Sequence, residues 1–254
     1  MNERAVDAPV LVATEQRRYL DGRRVLRGLV LLAWSGFFLW LWISGEVSRY
    51  LGPRTYWVVP FGAITLGIAA LLHVLTVRSS TKTSGPSTAE LLGAVLMAVP
   101  LVAVAVVPNA DLGTLAASRK SADGPVAAGG FTSGAVDPVE NPTFRDIVYA
   151  EESGEYAEAI GVTEGTEVDL LGFLDDSGSG PQGTFVLTRF YVSCCAADAI
   201  PYSVAVDASD QTIDQLEPDT WVKVGGTLEA RDGRFVLVAD GFELTSKPEE
   251  PYLY

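Results

Sequence analysis

The stretch Trp221-Val222-Lys223-Val224-Gly225-Gly226-Thr227-Leu228-Glu229-Ala230-Arg231-Asp232-Gly233-Arg234-Phe235-Val236-Leu237-Val238-Ala239-Asp240-Gly241-Phe242 decides how the second half of the chain folds. Val222, Val224 and Leu228 alternate with Trp221, Lys223 and Thr227, and a second such run follows over residues 235–242. Asp-Gly between two alternating runs is the strongest short-range hairpin signal, because the tight turn needs positive φ at its centre. The same period continues upstream. Val168, Leu170 and Leu174 alternate with Asp169, Leu171 and Phe173, and Val186, Phe190 and Val192 alternate with Phe185, Leu187, Arg189 and Tyr191. Residues 203–206 add a short third strand. A polar, Gly-rich loop over 175–183 separates the first two strands, and a polar stretch over 207–216, with a helical turn in it, separates the third from the fourth.

Five short strands with apolar faces favour a small closed barrel, since closure removes exposed edges. Their count and spacing predict an OB-like barrel, with a sandwich as the alternative. The expected inward set is Val168, Leu170, Val186, Phe190, Val222, Val224 and Leu228. Before the barrel, Thr143 is placed to cap a helix running to about residue 151, with Asp146 three positions on. A second short helix is expected over 155–160.

Three apolar runs occupy the first half: residues 28–44, 56–77 and 91–107, of 17, 22 and 17 residues, with His73 the only ionisable group among them. A bilayer core of about 30 Å takes roughly 20 apolar residues in helix. Three membrane spans are therefore expected, at about 25–44, 56–77 and 90–107. With the N-terminus inside, the inner segments hold Arg4, Arg17, Arg18, Arg23, Arg24, Arg27, Arg78 and Lys82, against Arg49, Arg54, Arg119 and Lys120 outside. That bias orients the chain N-terminus inward in a bacterial cytoplasmic membrane and places everything after the third span outside. A cleaved signal peptide fits less well, because the first run ends in Trp40, Leu41, Trp42 and Ile43 with no small-residue cleavage site. Trp34, Trp40, Trp42, Tyr50, Tyr56 and Trp57 surround the outer end of the first hairpin, which suits an interfacial aromatic belt, although Trp34 sits deeper and fits ordinary lipid-facing bulk best. The resulting division is a basic tail over 1–24, three helices over 25–110, a linker over 111–142 with a Gly/Ala/Ser/Pro-rich tether at 121–137, and the barrel domain over 143–254.

Charge excludes whole classes of function. Residues 1–130 carry 12 basic and 8 acidic side chains, whereas residues 131–254 carry 6 and 24. The acidic half repels phosphate backbones, so no nucleic-acid partner is expected. No phosphate-binding glycine loop opens a helix, and the single His73 leaves no Ser-His-Asp or Cys-His arrangement outside the membrane. No catalytic residue is expected, and the protein is read as not an enzyme.

One constellation stands apart, Ser193-Cys194-Cys195-Ala196-Ala197-Asp198, which holds both cysteines of the chain. Adjacent Cα atoms lie about 3.8 Å apart, below the usual range for a disulfide. In a regular strand the two thiols point to opposite faces, so they converge only where the strand breaks. Three roles stay open: a packing role with one thiol inside the barrel and one at its rim, a thiol redox pair, and a metal site. The metal site, for zinc or another soft metal, would use Cys194, Cys195 and Asp198, with a fourth ligand from elsewhere.

The three spans, the stretch Asp111-Leu112-Gly113-Thr114-Leu115-Ala116-Ala117-Ser118-Arg119, the run Leu187-Thr188-Arg189-Phe190-Tyr191-Val192-Ser193-Cys194-Cys195-Ala196-Ala197-Asp198-Ala199, then Asp219-Thr220-Trp221-Val222-Lys223-Val224 and the terminal Pro251-Tyr252-Leu253-Tyr254 follow one another along the chain. In this order they resemble an uncharacterised bacterial family of membrane permease subunits. The resemblance covers nearly the whole chain, and the Cys-Cys-Ala-Ala-Asp motif is its most specific part. It implies a two-component membrane assembly with a larger multi-span permease as partner, besides membrane lipid. It carries no catalytic residues over. Small residues Gly62, Ala63, Gly67, Ala69 and Ala70 of span two, and Gly93, Ala94, Ala98, Ala103 and Ala105 of span three, are expected to dock against partner helices. A homodimer through the same helices is the alternative. The expected function is that of an accessory subunit with an acidic extracytoplasmic barrel. An extracytoplasmic ligand-binding module and a thiol-based metal or redox carrier through Cys194 and Cys195 are the competing readings.

Overall fold

The computed structural model describes residues 19–76, 78–79, 85–106, 112–121, 138–175, 183–209 and 217–254. The basic residues Arg4, Arg17, Arg18 and Lys82, nearly all of the tether at 121–137, and most of the loops at 175–183 and 207–216 lie outside the described residues. The chain forms two compact units, one of Met1–Trp40 with Val59–Pro108 and one of Leu41–Val58 with Asn109–Tyr254.

The first unit is helical. α1 (Gly22–Ile43) and α2 (Val58–Leu75) are both long and apolar enough to cross a membrane, and the apolar stretch Thr88–Val104 within α3 (Thr88–Val106) is shorter. Asp21 starts α1 by accepting the Arg23 backbone N–H at 3.0 Å, satisfying one of the four orphan donors of the first turn. β1 (Tyr19–Leu20) pairs antiparallel with β2 (Arg78–Ser79). The small residues of α2 are spent inside the unit. A Cβ on Gly67 would lie 3.1 Å from Ser35 Oγ, a Cβ on Gly62 would meet the Phe38 ring, and Ser35 donates to the Ala63 carbonyl at 2.8 Å. The expectation that Gly67 contacts a partner helix is therefore corrected: that face of α2 packs on α1. The outward faces carry large apolar side chains, among them Leu72, Leu92 and Leu96 at 56%, 70% and 70% exposure. Burying such groups is worth about 1.5–3 kcal/mol each, so these faces favour an apolar surrounding.

The second unit is built on a closed barrel of β3 (Glu167–Asp175), β4 (Thr184–Tyr191), β5 (Ile200–Asp207), β6 (Trp221–Arg231) and β7 (Arg234–Thr245), in the order β3-β4-β5-β7-β6. β5 and β7 pair in parallel, and every other neighbouring pair is antiparallel. The β6–β7 hairpin turns at Asp232 and Gly233, both with positive φ, as the Asp-Gly signal requires. Its register slips by one residue between Gly225 and Gly226, and no side chain fits at Gly226, whose Cβ would overlap the Val238 carbonyl. The bulge bends the hairpin, as closure needs.

Val168, Leu170, Leu174, Val204, Val206, Val222, Val224, Leu228 and Leu237 fill the barrel. On β4 the expected face is inverted. Leu187 is fully buried in this core, with Phe185 and Tyr191 packed against it, whereas Val186 is only half-buried. Phe190 belongs instead to a second cluster outside the barrel, with Phe173, Val192, Ala199, Ala117 and Tyr252. β4 is apolar on both faces because both are covered, so alternation alone does not say which faces the barrel. α5 (Phe144–Glu152) and α6 (Gly154–Ile160) supply Phe144, Ile147, Tyr156 and Ile160 to the barrel core. The capping box at Thr143 and Asp146 forms as expected. Asp146 is buried yet satisfied, accepting the Thr143 N–H and hydroxyl and the Tyr156 hydroxyl at 2.9, 2.7 and 2.9 Å.

Candidate functional site at the vicinal cysteines

β4 ends at Tyr191, and the chain breaks out of the sheet before β5 begins at Ile200. The break is built by Asp198. Its Oδ1 accepts the Ser193 N–H at 3.0 Å, and its Oδ2 accepts the Cys194 and Cys195 N–H groups at 2.8 and 3.2 Å. Three successive amides therefore point at one carboxylate, an anion-holding nest closed by its own side chain. The short 3₁₀ turn Ala196–Asp198 follows from the same cap. This turn is what brings the two thiols to one side, which a regular strand would prevent.

Both cysteines are free, Cys194 exposed and Cys195 half-buried, so neither fills the barrel. The packing role expected for a buried thiol is corrected: the interior position belongs to Leu187 and the residues around it. The two Sγ atoms and a carboxylate oxygen of Asp198 lie within 4.8 Å of one another. The Cys194 thiol donates to Asp198 and is pushed up to about 12 by that bond, with the neighbouring Cys195 adding to it. Burial works to raise the Asp198 carboxyl, but the thiol of Cys194 and the three backbone amides outweigh it and hold the group below its usual range. Without a metal, Cys194 is a thiol at neutral pH rather than the thiolate that disulfide exchange needs.

Three further segments of the same unit hold this loop. Residues 45–56, which join α1 to α2, run across it as a strap. Leu51 forms an antiparallel bridge with Cys195, the Gly52 N–H donates to the Cys194 carbonyl at 3.1 Å, and the Ala196 N–H donates to the Tyr50 carbonyl at 2.8 Å. The Thr55 hydroxyl donates to the Cys194 carbonyl at 2.8 Å. α4 (Thr114–Ser121) begins where the Asp219 carboxylate accepts the Thr114 N–H at 2.6 Å. It ends with the Lys120 ammonium on the Ala197 and Ala199 carbonyls, at 3.0 and 2.7 Å. The C-terminal tail pairs in parallel through Leu253 with Tyr191, and Tyr252 donates to the Arg49 carbonyl of the strap at 3.1 Å. The Arg189 guanidinium fixes that tail through the Glu250 and Pro251 carbonyls. Sequence reasoning found the cysteines and Asp198 but not the strap, α4 or the tail. Tyr50, Gly52 and Thr55 contact the loop through backbone groups and one hydroxyl, which leave no pattern in a sequence.

Family models described as the DUF1980 N-terminal domain and the DUF1980 C-terminal domain match residues 26–123 and 142–254. A Streptococcus mutans serotype c protein named "Putative two-component membrane permease complex subunit" is 23% identical over 274 residues, covering 91% of this chain and 99% of that protein. Among solved structures, one described as OBody AM1L10 bound to hen egg-white lysozyme aligns at TM-score 0.26 and 20% identity, over 45% of this chain and 100% of the other.

Proposed function

Since the chain belongs to the DUF1980 family through both its N-terminal and its C-terminal domain, we propose that it is a non-enzymatic accessory subunit of a multi-span membrane permease, with its acidic barrel outside the cytoplasmic membrane. The observation that carries this reading is the near end-to-end match to the streptococcal protein, whose name makes it a subunit of a permease complex. Transport by the three helices alone has no support in their composition, which offers no chain of polar groups across the membrane.

Connectivity supports three spans. The α1–α2 segment Leu41–Val58 and the chain from Asn109 onward belong to one compact unit, which supports reading both on one side of the membrane. If α1 and α2 cross, then α3 must cross as well to bring residue 112 back to the side of the strap. The excess of Arg and Lys in the other segments supports reading that side as the outer one. The strand order, with its single parallel β5–β7 pair, supports reading the barrel as OB-like. Its acidic surface, in a segment carrying 24 acidic against 6 basic residues, would concentrate cations at the mouth of a neighbouring permease.

The test is copurification of the tagged full chain from native membranes in mild detergent, with crosslinking. A multi-span membrane protein is expected in the crosslinked product. Gly93→Leu is the informative variant, because Gly93 is exposed and a Cβ there meets nothing within 4 Å among the described residues. It should weaken copurification without lowering the level of the protein. Self-dimers alone would remove the accessory-subunit reading in favour of a ligand-binding module.

A further inference from the structure

We propose that Cys194, Cys195 and Asp198 form a binding site for a single soft divalent cation, held by two thiolates and one carboxylate oxygen. The assignment stands on how these groups are arranged and does not depend on the identity of any partner subunit.

The donor set is right in kind. Thiolates select soft or borderline cations such as Zn²⁺ over Mg²⁺ and Ca²⁺, which take oxygen ligands. The spacing is right in size. A tetrahedral site with Zn–S bonds of about 2.3 Å sets its ligand atoms about 3.8 Å apart. Here the three candidate atoms already lie within 4.8 Å of one another. Closing the difference takes a rotation of two exposed or half-exposed thiols, not a backbone movement.

The backbone, by contrast, is already fixed. Asp198 is committed by three amide bonds, yet Oδ1 accepts only the Ser193 N–H among them. The fourth acceptor position of the carboxylate takes the Cys194 thiol proton, and a cation between that sulfur and the carboxylate would displace it. The loop is further clamped by Gly52, Thr55 and Tyr50 on its backbone and by Lys120 on the carbonyls of Ala197 and Ala199. These bonds go to main-chain groups, so none of them has to break for a cation to replace the thiol proton that Cys194 shares with Asp198. Two adjacent thiols turned to one side by a dedicated carboxylate make a poor packing device and a strained disulfide, but a ready chelate.

Binding releases the thiol protons of Cys194 and Cys195 to solvent, with no change of oxidation state. Three protein donors leave a coordination position open. Structural zinc sites are closed by four ligands, whereas an open position admits water or an incoming ligand and allows exchange. The site is thus suited to accept and pass on a cation rather than to hold the fold together.

The experiment uses the purified, reduced full-length protein in detergent, with Zn²⁺ and Cd²⁺ as the probes. Cd²⁺ should give a sulfur-to-metal charge-transfer absorption that saturates at roughly one ion per chain, as a single site requires. Zn²⁺ should compete that absorption away and protect both cysteines from maleimide. The Cys194→Ser/Cys195→Ser double variant should lose the absorption and the saturable Zn²⁺ binding while keeping the wild-type circular dichroism. Maleimide protection in the wild type needs no variant, so the test survives a double variant that fails to fold. Equal Zn²⁺ binding by the wild type and a folded double variant would assign the ion to the acidic surface and overturn the site. Unprotected thiols at saturating Zn²⁺ would overturn it too.

Discussion

Leu51 and Cys195 face each other across an antiparallel bridge, although 51 lies between the first two apolar helices and 195 lies in the loop between barrel strands β4 and β5. The bridge makes the α1–α2 connection part of the barrel unit. The Cys-Cys loop is therefore tied to a segment whose two ends continue into α1 and α2. The bonds between them are those from Gly52 and Thr55 to the Cys194 carbonyl and from Ala196 to the Tyr50 carbonyl.

Weakening the strap should expose the loop. Thr55→Val removes the hydroxyl donated to Cys194, and Gly52→Ala sets a Cβ 3.1 Å from the Ser193 carbonyl, tighter than a relaxed contact. Each should raise the rate at which maleimide labels the half-buried Cys195, read by mass spectrometry of the intact chain. Rates equal to wild type would show that the strap does not shield the loop.

The barrel face of β4 can be read from two neighbouring alanine variants. Leu187→Ala empties a fully buried position and should cost about 2–5 kcal/mol. Val186→Ala, half-buried on the other face, should cost clearly less. Thermal unfolding of the two full-length proteins by circular dichroism gives the comparison. A larger loss at Val186 would reverse the assigned register.

The bulge should tolerate no side chain. In Gly226→Ala the added Cβ overlaps the Val238 carbonyl oxygen and lies 3.0 Å from Ala239 Cα, both rigid backbone atoms of β7. Either the ladder shifts or the barrel opens, so the variant should accumulate as aggregated or degraded protein. Gly241→Ala, with nothing within 4 Å, is the matched control and should fold normally.

Acid should loosen the end of β5. The Asp207 carboxyl is held at about 2, below the usual 3.8, first by the Ser209 hydroxyl and then by Arg231. A group whose folded value is depressed contributes its stability above the unfolded value, and that contribution is lost as pH falls through the folded value. The window is therefore about pH 4 down to 2, and the effect is modest because the partner Arg231 is 43% exposed. Asp207→Asn should lower stability at pH 6 and narrow its gap from the wild type by pH 2. A gap that stays constant across that range would mean the carboxylate contributes nothing.

Local patterning alone determined much of this protein. Asp232-Gly233 between two alternating runs gave the β6–β7 hairpin, Thr143 and Asp146 gave the capped start of α5, and runs of 17 to 22 uncharged or nearly uncharged residues gave the three apolar helices. Each signal sits in residues that are close in sequence and act on their own backbone. The Cys-Cys-Ala-Ala-Asp motif was also legible, because only a strand break lets two adjacent thiols converge, and Ala196 to Pro201 reads as turn-like.

What tertiary structure decided depends on partners far apart in the chain. Phe190 and Val192 look like barrel core by alternation, yet they pack with Ala117 and Tyr252, which are brought in by α4 and the C-terminal tail. Gly67 reads as a docking surface until Ser35 occupies the space beside it. The strap is the clearest case. Residues 45–56 read as a short membrane hairpin loop, and nothing in their side chains announces the Cys-Cys loop. Their contacts run largely through backbone N–H and C=O groups that every sequence possesses, so only the folded chain, by placing 51 against 195, could decide which of them would meet.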